Sequence, residues 1–352
     1  MLAGLSAALE TEVSAVEAVR SRARRLLEVH ALTAAARCAK LGAMASGAGP
    51  PVATRHRLRF TPPLDWPALL GFLGARAIPG VEAVDGRGYR RTIAAGGATG
   101  VVEVALAAGG GQLAATIRLA AAVPRAPLVA RLRRLFDLDA PLGPIAATLS
   151  ADPLLARLVA ARPGLRVPGA WDPFELAVRA ILGQQVTVAA ATALAGRLAA
   201  VYGEPLAPGA PAPGLVFPPP ARLAAADLAP LGMPRARAAA IAGLAAAAAA
   251  DAGLFAEAPS LEAAVARLRR LRGVGEWTAQ YIAMRALRAP DAFPPGDTGL
   301  LRALATRAGR PTPAQLLARA ERWRPFRAYA ALHLWSAGAG GWDPFRDPRC
   351  LL

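Results

Sequence analysis

Lysine is almost missing from this sequence: Lys40 is the only one in 352 residues. A Schiff base on a lysine amine therefore has one position at which to form, because arginine stays protonated and is a poor nucleophile. Cysteine is nearly as rare. Cys38 and Cys350 stand at opposite ends of the chain, which excludes a cysteine cage for zinc or iron–sulfur and argues against a disulfide framework. The histidines, His30, His56 and His333, are scattered, so no metal-ligand cluster can be read from side chains. The longest run of low polarity, "AAIAGLAAAAAADAGLF", is alanine-rich and broken by Gly and Asp. It lacks the bulk of a membrane span. The opening "MLAGLSAALETEVS" has no basic stretch and an early Glu, so no secretory signal is expected and a reducing cytoplasm fits.

Arginine is what the chain has instead. The formal net charge is +17, and an anionic partner is the natural inference. An Ala/Arg/Gly/Pro-heavy composition raises arginine content without function, so charge alone leaves both readings open.

Three textures follow one another. Residues 1–54 read as an appendage and linker, with helical "LETEVSAVEAVRSRARRLLEVHALTAAARCAKL" leading into small-residue "GAMASGAGPPVAT". Residues 55–123 read as a small antiparallel α+β domain. "RHRLRFTPP" alternates like a strand, Asp65 is placed to cap a helix with Pro67 in its first turn, and three further strand-like runs are separated by Asp-Gly and Gly-rich turns. From residue 124 to 352 apolar residues recur at helical spacing almost throughout. The Pro-rich "LAPGAPAPGLVFPPP" reads as a loop inside this helical part. The expected fold class is thus α+β, an antiparallel domain followed by a helical one.

Residues 268–281, "LRRLRGVGEWTAQY", break two helices at a Gly-Val-Gly turn. Such a turn exposes backbone N–H groups at the start of the second helix, where the dipole favours a phosphate. Glycine lets a DNA backbone come close, and Arg269, Arg270 and Arg272 add attraction for a polyanion. About twenty residues on, "DAFPPGDTGLLRAL" sets Asp297 after Pro-Pro-Gly and before a new helix. Alone, that is an ordinary helix cap.

Together, "LRGVGEWTA" and "FPPGDTGLL" resemble the helix-hairpin-helix signature of DNA glycosylases, with the hairpin at about residues 262–286. "PPLDWPALLGFLGARA", "LRRLFDLDA", "AARPGLRVPGAWDPFELAVRAILGQQVTVAAATALAGRL" and "ERWRPFRAYAALHLW" resemble the DNA-3-methyladenine glycosylase II family, from about residue 57 to about 343. The resemblance implies two helical lobes with the site in their cleft. It implies an enzyme, monomeric and without a cofactor, that flips alkylated purines from double-stranded DNA and hydrolyses the glycosidic bond. A bacterial, nucleoid-associated protein with no membrane contact is implied.

It also implies roles for residues. Phe72, Trp277, Tyr281 and Trp335 would form an electron-rich cleft that attracts a cationic base by stacking and cation–π contact. Asp297 would be the catalytic carboxylate, stabilising the cation that develops on the sugar or deprotonating the attacking water. Gln185 falls where the family carries its minor-groove wedge, commonly a Leu, and Gln184 would share the task. Arg272, Gly273, Val274, Gly275 and Glu276 would meet the DNA backbone. Main-chain carbonyls near Leu271 and Val274 would hold any monovalent cation. Thr298, where an aromatic is frequent, removes one stacking surface and puts the base preference in doubt.

Two other readings compete. A bifunctional glycosylase/lyase of the endonuclease III kind shows a lysine in the hairpin's second helix and four clustered cysteines after the Asp, and this chain has neither. A regulatory DNA-damage-binding protein would keep the fold without the reaction. Residues 1–50 lack the cysteine pairs of a methyl-transfer module, and Asp297 argues for activity.

Overall fold

The computed structural model describes residues 52–207, 212–306 and 309–339; the appendage and Lys40 lie outside them. The chain opens with β1 (Val52–Arg59) and α1 (Trp66–Gly74), then runs through β2 (Glu82–Val84), β3 (Gly88–Ala95), β4 (Ala98–Leu106) and β5 (Gln112–Leu119). The Asp65 carboxylate accepts the Ala68 N–H, the cap its position promised. The stretch "VEAVDGRGYRRTIAAG" is two strands rather than one. Its Asp85 accepts the N–H groups of Arg87 and Gly88 and so turns β2 into β3. Sheet order is β1-β5-β4-β3-β2, antiparallel throughout.

Helices follow: α2 (Arg125–Phe136), α3 (Leu142–Leu149), α4 (Pro153–Ala161), α5 (Pro173–Leu182) and α6 (Val188–Tyr202). The Pro-rich loop then holds a short hairpin of β6 (Glu204–Pro205) and β7 (Leu215–Val216), so the region is not wholly helical. The Leu215 N–H donates to Gly80, and the Thr92 hydroxyl donates back to the Leu215 carbonyl, pinning this loop to the sheet. After α7 (Pro220–Ala224) come α8 (Arg235–Ala250), α9 (Leu261–Arg269), α10 (Glu276–Arg285), α11 (Thr298–Ala303), α12 (Pro313–Ala320) and α13 (Arg327–Ala339). None of the described helices is long and apolar enough to cross a membrane.

Two cores result, and they do not part at residue 123. Leu128, Leu132, Leu135 and Phe136 of α2 pack under the sheet with Trp66 and Tyr89. Ile78 and Val81, from the sheet side, enter the helical core. Ion pairs fasten the two across a buried seam. Arg91 meets Glu175 of α5 at 2.6 Å, Arg179 meets Glu82 at 2.9 Å, and the Tyr89 hydroxyl donates to Glu82 at 2.6 Å. Charges so buried are tolerable only when each is answered. The arrangement fixes α5, and α5 ends at the glutamines.

His333 on α13 is buried, and its Nδ1 has no partner. Burial, aided by Arg162, pushes its pKa down to about 4. An unfolded imidazole titrates near about 6.5, so between these values the unfolded chain binds more protons. His333 therefore withdraws stability as pH falls from about 6.5 towards about 4. Denaturant titrations across that window should show a shallower loss for His333→Leu than for the native chain. Parallel curves would assign the acid loss to other groups.

Candidate active site

The α9–α10 hairpin packs its second helix against α5, and α11 packs against α13. A cleft of about 1410 Å³ opens between these elements. Trp277, Tyr281, Asp297, Thr298 and Trp335 line one side, and Gln184, Gln185 and Val186 lie on its margin. Residues 200 positions and more apart in expectation thus converge: α10 supplies Trp277 and Tyr281, the start of α11 supplies Asp297, and α13 supplies Trp335.

Pro294, Pro295 and Gly296 cannot extend a helix, and Asp297 starts one. Its Oδ1 accepts the Leu300 N–H at 2.9 Å, so the capping role is real. The carboxylate does more than cap. Trp335 Nε1 donates to Oδ1 at 2.8 Å and Trp277 Nε1 donates to Oδ2 at 2.9 Å. Two indoles thereby hold a half-buried anion at the cleft wall. Gly299 makes this possible, because a Cβ there would sit 3.1 Å from Trp335 Cδ1 and 3.0 Å from Asp297 Oδ1.

One helical turn separates Trp277 from Tyr281, and their rings stack at 5.2 Å with planes 8° apart. Trp335 tilts towards Tyr281 at 6.4 Å. Phe72 stands back from the cleft lining. The Arg76 guanidinium lies 3.8 Å from its ring centre and that of Arg285 lies at 4.8 Å. The structure thus gathers three of the four expected aromatics with Asp297 and puts arginine over the fourth. Burial alone would raise the Tyr281 phenol, but Arg285, Arg76 and Arg179 outweigh it and bring its pKa to about 8.

The glutamines divide. Gln184 Nε2 donates to the Gly273 carbonyl at 2.8 Å and to Thr278 Oγ1 at 2.9 Å, so its amide braces the hairpin. Gln185 is exposed and left-handed, with φ of 56°, a conformation unusual outside glycine. Val186 and Val188 beside it are 37% and 43% exposed, an apolar lip that motif reading missed. Its signal was present in the alternation of "QVTV". Arg76 was also missed, although it follows Phe72 by one helical turn.

The hairpin glycines have different reasons. Gly273 has φ of 83°, and a Cβ on it would lie 2.5 Å from Ala240 Cβ. Gly275 has φ of −83° and open space where a Cβ would go. It is the N-cap of α10, and no side chain covers the helix's first N–H groups. Arg272, Gly273 and Glu276 are exposed, whereas Val274 is buried. Glu276 pairs with Arg269 at 3.0 Å, which blunts its repulsion of an approaching phosphate. The Leu271 carbonyl accepts the Val274 N–H at 3.1 Å and keeps a second lone pair. The described residues contain no cluster of His, Cys, Asp and Glu able to hold a metal.

Residues 55–172 match the AlkA N-terminal domain, and residues 178–327 match the HhH-GPD superfamily base excision DNA repair protein. The chain is 41% identical over 293 residues to the DNA-3-methyladenine glycosylase 2 of Escherichia coli, a match covering 82% of this chain and 99% of that one. It is 40% identical over 282 residues to a probable bifunctional transcriptional activator/DNA repair enzyme AlkA of Mycobacterium tuberculosis, covering 80% of this chain and 56% of that longer protein. Among solved structures, the 3-methyladenine DNA-glycosylase from Archaeoglobus fulgidus shares the fold with a TM-score of 0.68 at 21% identity, covering 81% of this chain and 98% of that one.

Proposed function

Since the chain belongs to the DNA-3-methyladenine glycosylase 2 family, within the HhH-GPD superfamily of base excision DNA repair proteins, we propose that it excises alkylated purines from double-stranded DNA and stops at the intact abasic strand. The observation that carries this reading is Asp297, held by two indole N–H groups beside the Trp277–Tyr281 stack. Methylation at a ring nitrogen makes a purine cationic and a better leaving group. The stack offers it π-faces once it is flipped out of the duplex. As the C1′–N bond breaks, positive charge grows on the sugar, and a fixed carboxylate opposes it without reorganising. Charge stabilisation is the role favoured for Asp297, because the leaving base is already activated.

The remaining parts position DNA. The bare N–H groups at the start of α10 would donate to a phosphate, with Arg272 alongside. Gln185, flanked by Val186, would enter the gap left by the flipped nucleotide. Its amide can bond the orphaned base while the valine fills the stack. The protein would act as a monomer and need neither metal nor nucleotide. In excess EDTA, a methylated duplex should still release free base. Binding without any release would favour the regulatory reading.

A prediction separates DNA contact from folding. Gly275→Ala fills open space in the free protein but meets the phosphate in the complex. Its Kd for any duplex should rise on the order of tenfold, lesion or not, with the melting temperature little changed. Gly273→Ala should instead lose thermal stability, through strain at positive φ and contact with Ala240. Equal melting temperatures for the two variants, or unchanged DNA affinity for the first, would refute this division.

A further inference from the structure

The cleft carries more positive charge than a pocket for cationic bases needs. Arg76, Arg179 and Arg285 all line it. Arg179 is answered by Glu82 and Glu175. Arg285 is buried and spends its N–H groups on the Pro168 and Gly169 carbonyls and on the Tyr281 hydroxyl. Arg76 differs from both. It is half-buried on the cleft wall, and its one long hydrogen bond, 3.3 Å, runs from Nη1 to the Phe72 carbonyl. Among the described residues it has no carboxylate partner. Its field still reaches the aromatic stack, where it helps lower the Tyr281 phenol. A guanidinium kept in this state has N–H donors to spare in the place a flipped base would occupy.

Resting on the base-excision reading above, we propose that Arg76 reads a hydrogen-bond acceptor on the flipped base, so that 6-oxopurines form a substrate class of this cleft. A fixed positive charge repels a cationic base and favours a neutral one with an acceptor edge. Purine O6 and N7 together match the fork of a guanidinium. A 6-amino group presents a donor there and leaves the arginine unmet. Covering Phe72 explains where Arg76 rests, but not why a cleft residue goes without an anion.

The same contact helps the reaction. A neutral base is not activated by methylation, so it must leave as an anion. When C1′–N9 breaks, the electron pair goes to the purine and spreads to O6, where the Arg76 guanidinium donates. The purine anion then takes a proton from solvent at a ring nitrogen, while water adds its oxygen to C1′ and gives up a proton. Heterolysis creates a cation on the sugar and an anion on the base. This cleft holds a carboxylate for the first, Asp297, and a guanidinium for the second, Arg76.

The test uses single-lesion duplexes holding hypoxanthine or unsubstituted purine, which lacks O6, beside a methylated duplex. The native protein should release base from the methylated duplex and cleave hypoxanthine faster than purine in single turnover. Arg76→Met keeps an apolar stem over Phe72 but has no donor. It should lower the hypoxanthine-to-purine rate ratio roughly tenfold to a hundredfold, and Arg76→Lys should restore part of it. Equal losses on the two neutral duplexes would mean that Arg76 only supports the pocket, and the proposal would fall. A native protein with no preference for hypoxanthine would overturn it without any variant. Release from no duplex at all, methylated included, would instead sink the excision reading on which it rests.

Discussion

Asp297→Asn is expected to slow single-turnover release of 3-methyladenine by about a thousandfold or more, with duplex affinity nearly unchanged. The substitution preserves much of the local structure. Asn is as good a helix cap as Asp, so its Oδ1 can still accept the Leu300 N–H. What it cannot keep is the charge, or both indole contacts. The amide has one oxygen, and turning it to Leu300 and Trp335 aims an NH2 at the Trp277 N–H. Donor then faces donor, and no anion opposes the positive sugar. Melting temperature and DNA affinity, measured alongside the rate, keep the loss assigned to chemistry. An Asn variant within a few-fold of the native rate would place the catalytic carboxylate elsewhere.

The site was more legible in the sequence than the fold around it, and the reason is where the information lies. Asp297, Trp277 and Tyr281 sit within about one motif length of the Gly-Val-Gly turn, and local rules such as capping and one-turn spacing connect them. Asp65 and Ser260 were readable as caps for the same reason, and both accept the expected N–H. Long-range features were not. Nothing local says that the α2 helix joins the sheet's core, or that a Pro-rich loop forms a hairpin pinned to Gly80 and Thr92. Residue type also hid function. Gln184 and Gln185 are adjacent and chemically identical, yet one braces the hairpin and the other is exposed at positive φ. Phe72 was expected in the cleft on its aromatic character, whereas the arginine one turn later covers its ring.

No covalent adduct should form when borohydride is added during turnover. A glycosylase that also nicks the strand attacks the sugar with an amine, and the Schiff base then drives β-elimination. In the lyase-type helix-hairpin-helix enzymes that amine belongs to the hairpin's second helix. Trp277 stands at that position here, one residue into α10. Its indole nitrogen is committed to Asp297 at 2.9 Å, and its ring to Tyr281. No substitute is at hand, since the sequence holds no lysine after position 40. The arginines that line the cleft cannot lose a proton to become nucleophiles. Product strands should therefore remain intact until hot alkali cleaves them at the abasic site. The experiment has a positive arm: Trp277→Lys puts an amine one helical turn from Tyr281 and beside Asp297, and trapping should rise from background with this variant alone. Native protein that traps efficiently, even after deletion of residues 1–50 and blocking of the new terminal amine, would show that an amine outside this account reaches the sugar. The hydrolytic mechanism would then have to give way to a covalent one.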